Sequence, residues 1–326
     1  MAKLPVLVLA YNRPDFTRGL MEKLEAYAPV RLYVACDGPR LERSEDSAKV
    51  AEVRRILSSP NWETSVFTRF PEENLGLREA VRGAIDWFFE NEEEGIILED
   101  DCWPHPDFFR IAEHVISKYE RDDRVWGMTG SNVAGVRFSG EASYGFLGQP
   151  LIWGWASWAN RWKQHDPTLG DYRSLGTGQR NALWPSPLHK LAIKRHLDSM
   201  VRWGVPNTWD YPWAWTVMSR RGLWVVPAVN LIENVGIGPW STNTKKSKFP
   251  AAPVRHLESN IRDPREKTVD LDAEESALYS IHGLSRPLWT NYPIAWLKIA
   301  KKSLQLGVLG LLQRPARPRA YSMWAA

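Results

Sequence analysis

The chain has 326 residues, 44% hydrophobic and 25% charged; this is a length of one or two domains, able to bury a core without disulfide or metal staples. The formal net charge is +4, but from Ser276 onward there are seven basic residues (Arg286, Lys298, Lys301, Lys302, Arg314, Arg317 and Arg319) and no acidic ones. A slightly acidic body with a basic tail excludes a general polyanion-binding domain, so no nucleic-acid partner is expected.

Residues 5–10 form a short apolar run that leads into Asn12-Arg13-Pro14-Asp15. This reads as a buried strand and not a signal peptide, because no small-residue cleavage site follows it. A helix is predicted over 16–27, a strand over 31–36 ending at Asp37-Gly38-Pro39, and a helix over 44–57. A strand over 65–70 and an amphipathic helix over 77–90 follow. Next come a strand over 95–98 ending at Glu99-Asp100-Asp101, a helix over 107–119 and a strand over 125–129. Apolar strands alternating with helices predict an α/β fold, with a mostly parallel sheet covered on both faces. Ligands of such sheets bind beyond the carboxyl ends of the strands, where Asn12, Asp37 and the acidic triplet fall.

From about residue 131 the periodicity weakens and the chain becomes rich in Gly, Trp and Pro. Of the 18 tryptophans, 11 lie between Trp153 and Trp240. The spacing of Trp155, Trp158 and Trp162 fits one helix face, and indole rings pack on the C–H faces of sugars. Most of this cluster is expected to be core, with about two rings lining a sugar pocket. A helix is expected over 211–221, and 242–253 reads as a polar loop. The two cysteines, Cys36 and Cys102, make neither a disulfide framework nor a zinc pattern and fit a reducing compartment. No run approaches the roughly 20 apolar residues of a membrane-spanning helix.

The acidic triplet carries the strongest chemical signal. A turn or helix cap explains one carboxylate and not three, because adjacent carboxylates repel unless a cation or basic group compensates. All-oxygen donors suit Mg²⁺ or Mn²⁺, held by one or two carboxylates and substrate phosphates.

At these residues the chain resembles nucleotide-sugar-dependent glycosyltransferases of the GT-A fold, whose Asp-x-Asp signature, often Glu-Asp-Asp, ends such a strand. Ile97–Asp101 with Pro106-Asp107-Phe108-Phe109 is similar to the N-acetylglucosaminyltransferase family that initiates complex N-glycans. Tyr11–Pro14, Asp37-Gly38, Asn74-x-Gly76-Leu77, Trp153–Ala156, Trp209-Asp210-Tyr211 and Asn234-Val235-Gly236 resemble a bacterial group labelled hemolytic HlpA-like, over about residues 4–260.

The resemblance implies a GT-A domain with a nucleotide-sugar-binding half at 1–130 and an acceptor-binding half at 131–260, followed by a basic tail at 261–326. It makes Asp101 the ligand of Mn²⁺ or Mg²⁺ and places Asp100 beside ribose and diphosphate, with Glu99 orienting the site. Asn12, Arg13 and Asp37 fall at the nucleoside. Arg78 faces either the diphosphate or the acidic triplet. Asp210 becomes the general base of an inverting transfer, a role compatible with capping its own helix. Trp153, Trp155 and Trp209 are assigned to the acceptor. One departure stands out: Ser241-Thr242-Asn243-Thr244 replaces the group's Ala-Thr-His-Thr, leaving Asn243 where a late metal-binding His is expected. His256 is either its substitute or a surface histidine.

A helix is expected over 293–312, with Lys298, Lys301, Lys302 and Gln305 in one polar stripe. It suits either a membrane interface or docking on protein. The expected protein is a glycosyltransferase of polysaccharide biosynthesis, cytoplasmic or peripheral on the inner membrane face. It moves a UDP-linked sugar to a glycan or lipid-linked acceptor. The alternatives are a sugar nucleotidyltransferase, although Tyr11–Pro14 lacks the glycines of that class, or an inactive carbohydrate-binding protein.

Overall fold

The computed structural model describes residues 3–138, 140–184, 186–204, 208–236 and 252–284. The expected tail helix, Asn243 and most of the 242–253 loop lie outside these residues.

Ten strands run in chain order: β1 (Val6–Ala10), β2 (Arg31–Cys36), β3 (Ser65–Arg69), β4 (Glu94–Glu99), β5 (Cys102–Pro104), β6 (Val125–Thr129), β7 (Tyr144–Leu147), β8 (Trp155–Trp158), β9 (Leu223–Pro227) and β10 (Ile232–Asn234). The main sheet has the order β3-β2-β1-β4-β8-β6-β9-β7. Strands β3, β2, β1 and β4 are mutually parallel. Strand β8 runs antiparallel between β4 and β6, β9 is parallel to β6, and β7 closes the edge antiparallel to β9. The sheet is therefore mostly parallel, an α/β fold as the alternating pattern predicts.

Four helices, α1 (Pro14–Tyr27), α2 (Ser44–Ser58), α3 (Leu77–Asn91) and α4 (Pro106–Tyr119), serve as crossovers in the first half. Proline opens both α1 and α4, where its missing N–H costs nothing. Side-chain alternation along β1 and β4 sorts the two faces. Val6, Val8, Ile96 and Leu98 join the core under α1, α2 and α4. Leu7, Leu9 and Ile97 join the core shared by α3 and the tryptophans. The run at 5–10 is thus a central strand, buried on both faces, as its uniform hydrophobicity requires.

The second half departs from the sequence reading. Trp155 and Trp158 lie on strand β8 and Trp162 on a single helical turn, Ala159–Trp162, so the three do not share one helix. Their spacing imitates helical period, but β8 is fixed by backbone pairing with β4 and β6, and tertiary pairing overrides local pattern. The helix expected over 211–221 runs instead over Asp210–Ser219. Because β8 inserts between β4 and β6, both halves of the chain complete one sheet.

Candidate active site

The site lies where β1 and β4 end side by side, with Leu9 paired to Glu99. Beyond β4, Asp100 is buried and Asp101 half-buried. The Asp100 backbone N–H donates to Leu9 at 2.9 Å, holding the turn against β1. The compensating cation that adjacent carboxylates demand is Arg13. Its Nη1 donates to Asp101 Oδ2 at 2.8 Å, its Nε to Asp100 Oδ2 at 3.2 Å, and its Nη2 contacts Asp100 Oδ1. Burial works against the charge on Arg13, but Asp100 and Asp101 more than offset it and hold the guanidinium charged. Burial, then the charge on Asp101, raises the Glu99 carboxyl. Burial also pushes Asp100 upward, with Arg13 opposing.

Two chain segments far away in sequence close on this turn. Strand β10 pairs antiparallel with β5, matching Asn234 to Cys102, and Val235 N–H donates to the Asp101 carbonyl at 2.9 Å. A Cβ at Gly236 would stand 2.2 Å from Asp101 Oδ2, so the chain passes close against this carboxylate. The second segment is the Asp210–Ser219 helix. Asp210 is 1% exposed and accepts the Tyr211 N–H at 2.9 Å and the Thr208 hydroxyl. Trp209, next to it, stacks on Trp155, which pairs with Ile97 two residues before Glu99, so the Trp209-Asp210-Tyr211 motif lies against the strand that carries the acidic turn.

The other expected ligand contacts have partners in the scaffold. Asp37 accepts the backbone N–H groups of Gly38, Leu75 and Gly76 and the Asn74 amide, at 2.9–3.0 Å. This ties Asp37-Gly38 to Asn74-x-Gly76 in one knot, where Gly76 adopts φ +79°, a conformation that favours glycine. Asn12 donates to Asp46 Oδ1 at 2.7 Å, and the same carboxylate accepts from Tyr11 and Arg40. Burial and this hydrogen bond push the Tyr11 hydroxyl up to about 12. Arg78 donates to its neighbour Glu79 at 2.9 Å.

Of the three tryptophans assigned to an acceptor, Trp153 keeps exposed surface. Trp155 is 1% and Trp209 4% exposed, stacked on each other at 6.0 Å between centroids. Trp162, Trp213 and Trp224 also crowd Trp155. In this arrangement Trp155 and Trp209 offer no open ring face and act as core that holds Asp210 in place.

His256 does not join the acidic turn. Its ring lies 4.5 Å from that of His105, and the extended β5 strand separates His105 from Asp101 by about 13 Å of backbone. The Asp46 cluster and this histidine pair went unread in the sequence, because their members are scattered across separate elements. The His105-Pro106-Asp107 spacing was the available signal for the second.

No protein-family model matches the chain, and no curated protein matches it. Among solved structures, HddC from Yersinia pseudotuberculosis is similar at TM-score 0.31 and 14% identity, covering 48% of this chain and 77% of its own. UDP-glucose pyrophosphorylase complexed with UDP-glucose is similar at TM-score 0.33 and 10% identity, covering 52% and 82%. The apo form of a UDP-glucose pyrophosphorylase reaches TM-score 0.35 at 8% identity, covering 70% and 90%. Likeness at this level leaves the reading of the site to its own geometry. Among the described residues, no helix is long and apolar enough to cross a membrane.

Proposed function

We propose that the chain is an inverting glycosyltransferase that uses a nucleotide-diphosphate sugar, with UDP the expected nucleotide. The observation that carries this reading is the approach of a separate buried carboxylate, Asp210, to the acidic turn at Glu99–Asp101. Such a pairing suits a reaction that needs charge neutralisation at a leaving diphosphate and a base at an incoming hydroxyl.

Asp101, a half-buried carboxylate at a strand end beside Asp100, has the donor chemistry for a divalent cation of the Mg²⁺ or Mn²⁺ class. Such ions bind through one or two carboxylates plus phosphate oxygens. When bound, the cation would neutralise charge on the departing diphosphate. Arg13 already spans Asp100 and Asp101 and supplies a second positive charge beside the same phosphates. Asp210 takes the proton of the acceptor hydroxyl as the oxygen attacks the anomeric carbon. The sugar–phosphate C–O bond breaks and the nucleoside diphosphate leaves with its electron pair. A positioned carboxylate suffices, because the hydroxyl acidifies as the new bond forms. Asn12 and Asp37 shape the nucleoside end and Arg78 the diphosphate, with Trp153 toward the acceptor, a glycan or lipid-linked saccharide. The basic tail would bring the enzyme to the inner face of a membrane.

A sugar nucleotidyltransferase, the activity in the name of two of the neighbours, is the second reading. The acidic pair would serve it as well, but it leaves Asp210 without a task. Incubating purified protein with UDP-sugars, Mn²⁺ and a saccharide acceptor separates the two. Glycosylated acceptor and free UDP support transfer. Pyrophosphate-dependent formation of UTP and sugar-1-phosphate would overturn it. Sugar binding without any turnover would point to an inactive binding protein.

A further inference from the structure

A second group of donors lies at the start of α4, outside the proposed reaction centre. His105 closes the β5 segment, its backbone N–H held by the Leu231 carbonyl at 2.8 Å. Asp107 sits in the first turn of α4. His256 arrives from a distant stretch of chain, which Arg110 clamps by donating to the carbonyls of Leu257, Glu258 and Ser259 at 2.8–3.1 Å. One ligand atom from each of His105, Asp107 and His256 lies within 4.8 Å of the other two.

The separations match a metal better than a hydrogen bond. Asp107 Oδ2 stands 3.3 Å from His105 Nδ1 and 3.6 Å from His256 Nδ1; hydrogen bonds of this kind run about 2.7–3.2 Å. Ligands at about 2.0–2.2 Å from a tetrahedral zinc stand roughly 3.3–3.5 Å apart along each edge. The carboxylate is also braced as metal ligands are. Arg110 donates to Asp107 Oδ1 at 2.9 and 3.2 Å, and Leu257 N–H holds Oδ2 at 3.0 Å. Binding through His105 Nδ1 exchanges the Asp107 N–H contact of 3.2 Å for a metal bond. The His256 side chain is 88% exposed, so a fourth position opens to water.

We propose that His105, Asp107 and His256 bind a transition-metal ion of the zinc class, which fastens the 252–259 segment to the start of α4. Two imidazoles and one carboxylate suit Zn²⁺, Co²⁺ or Ni²⁺ and not the all-oxygen preference of Mg²⁺. The site is independent of the acidic turn and of the proposed transfer.

The test uses untagged full-length protein stripped with chelator and carrying Asp101→Ala, which removes the proposed cation ligand of the acidic turn as a competitor. Zinc is titrated calorimetrically and cobalt(II) followed by its visible d–d absorption. The expected result is one equivalent of zinc and intense tetrahedral cobalt bands, both lost when His256→Ala is added; this exposed residue can be replaced without unfolding the chain. Arg110→Ala should weaken zinc about 10- to 100-fold, the usual cost of losing such a brace. Absence of zinc binding in the Asp101→Ala protein, or unchanged binding after His256→Ala, overturns the site.

Discussion

The two halves of this sheet solve different problems with different residues. In the first, β1 to β4 alternate with α1 to α4, apolar side chains fill the strands, and the polar groups collect at the strand ends as ion pairs. Asp46 with Arg40, and Asp100 and Asp101 with Arg13, are examples. In the second half, β6 to β9 are held against short helices by tryptophan on tryptophan, around Trp155, Trp162, Trp209, Trp213 and Trp224. The contrast separates residue abundance from residue function. The aromatic half looks rich in sugar-binding rings, yet what it offers the proposed site is one carboxylate, Asp210, beside a core of indoles.

Breaking the aromatic half should have the largest effect. Trp155→Ala removes a fully buried ring and should destabilise the fold by about 3–5 kcal/mol, measured by denaturant or thermal unfolding. Trp153→Ala should cost far less, because the ring is only partly buried. Equal costs would mean that Trp155 is not the centre of that core.

Asp210→Asn sharpens the comparison from the functional side. The substitution should lower kcat about 10²- to 10⁴-fold, the range for a positioned base, with donor affinity retained in a binding assay. Loss of donor binding and turnover together would make Asp210 a structural residue of the aromatic half.

Acid should strike the aromatic half at an identifiable group. His165 packs on Trp162 and Trp213, and among the described residues its Nε2 finds no hydrogen-bond partner. Burial lowers its pKa to about 4, below the unfolded value near 6.5. The unfolded chain therefore takes up the proton first. Stability falls as pH drops through about 6.5 and levels off below about 4, by at most about 1.4 kcal/mol per pH unit. Unfolding of His165→Phe across this window should show a flatter profile and greater stability at neutral pH. A profile unchanged by the substitution would place the acid sensitivity elsewhere.

The first half was readable because its physics is periodic. Val6–Ala10 and Leu32–Cys36 are runs without charge, and the charged residues follow directly where each strand must leave the core. The acidic turn was readable for the same reason, since it sits at a strand end; its partner was not, because the sequence offers Arg78 for that pairing and the fold supplies Arg13 instead. The second half was not, because tryptophans pack wherever volume is needed, and their spacing mimicked a helix across the strand–helix junction at Trp158. The His105–His256 approach was equally hidden, since it depends on how α4 clamps a distant segment through Arg110. Of the two readings of His256, late metal ligand of the acidic turn or surface histidine, the fold agrees with the second: its side chain is 88% exposed, beside His105.

The central claim is that a nucleotide-diphosphate sugar binds at the acidic turn through a cation on Asp101. A panel of nucleotide sugars with Mn²⁺, read by thermal shift on the native protein and on Asp101→Ala, tests it directly. A ligand at 100 times its Kd should stabilise the native protein by about 2.7 kcal/mol. The account predicts a clear rise in Tm with one donor, UDP-linked, that disappears in the variant and without metal. An equal rise in Asp101→Ala, or no rise with any nucleotide sugar, would contradict it.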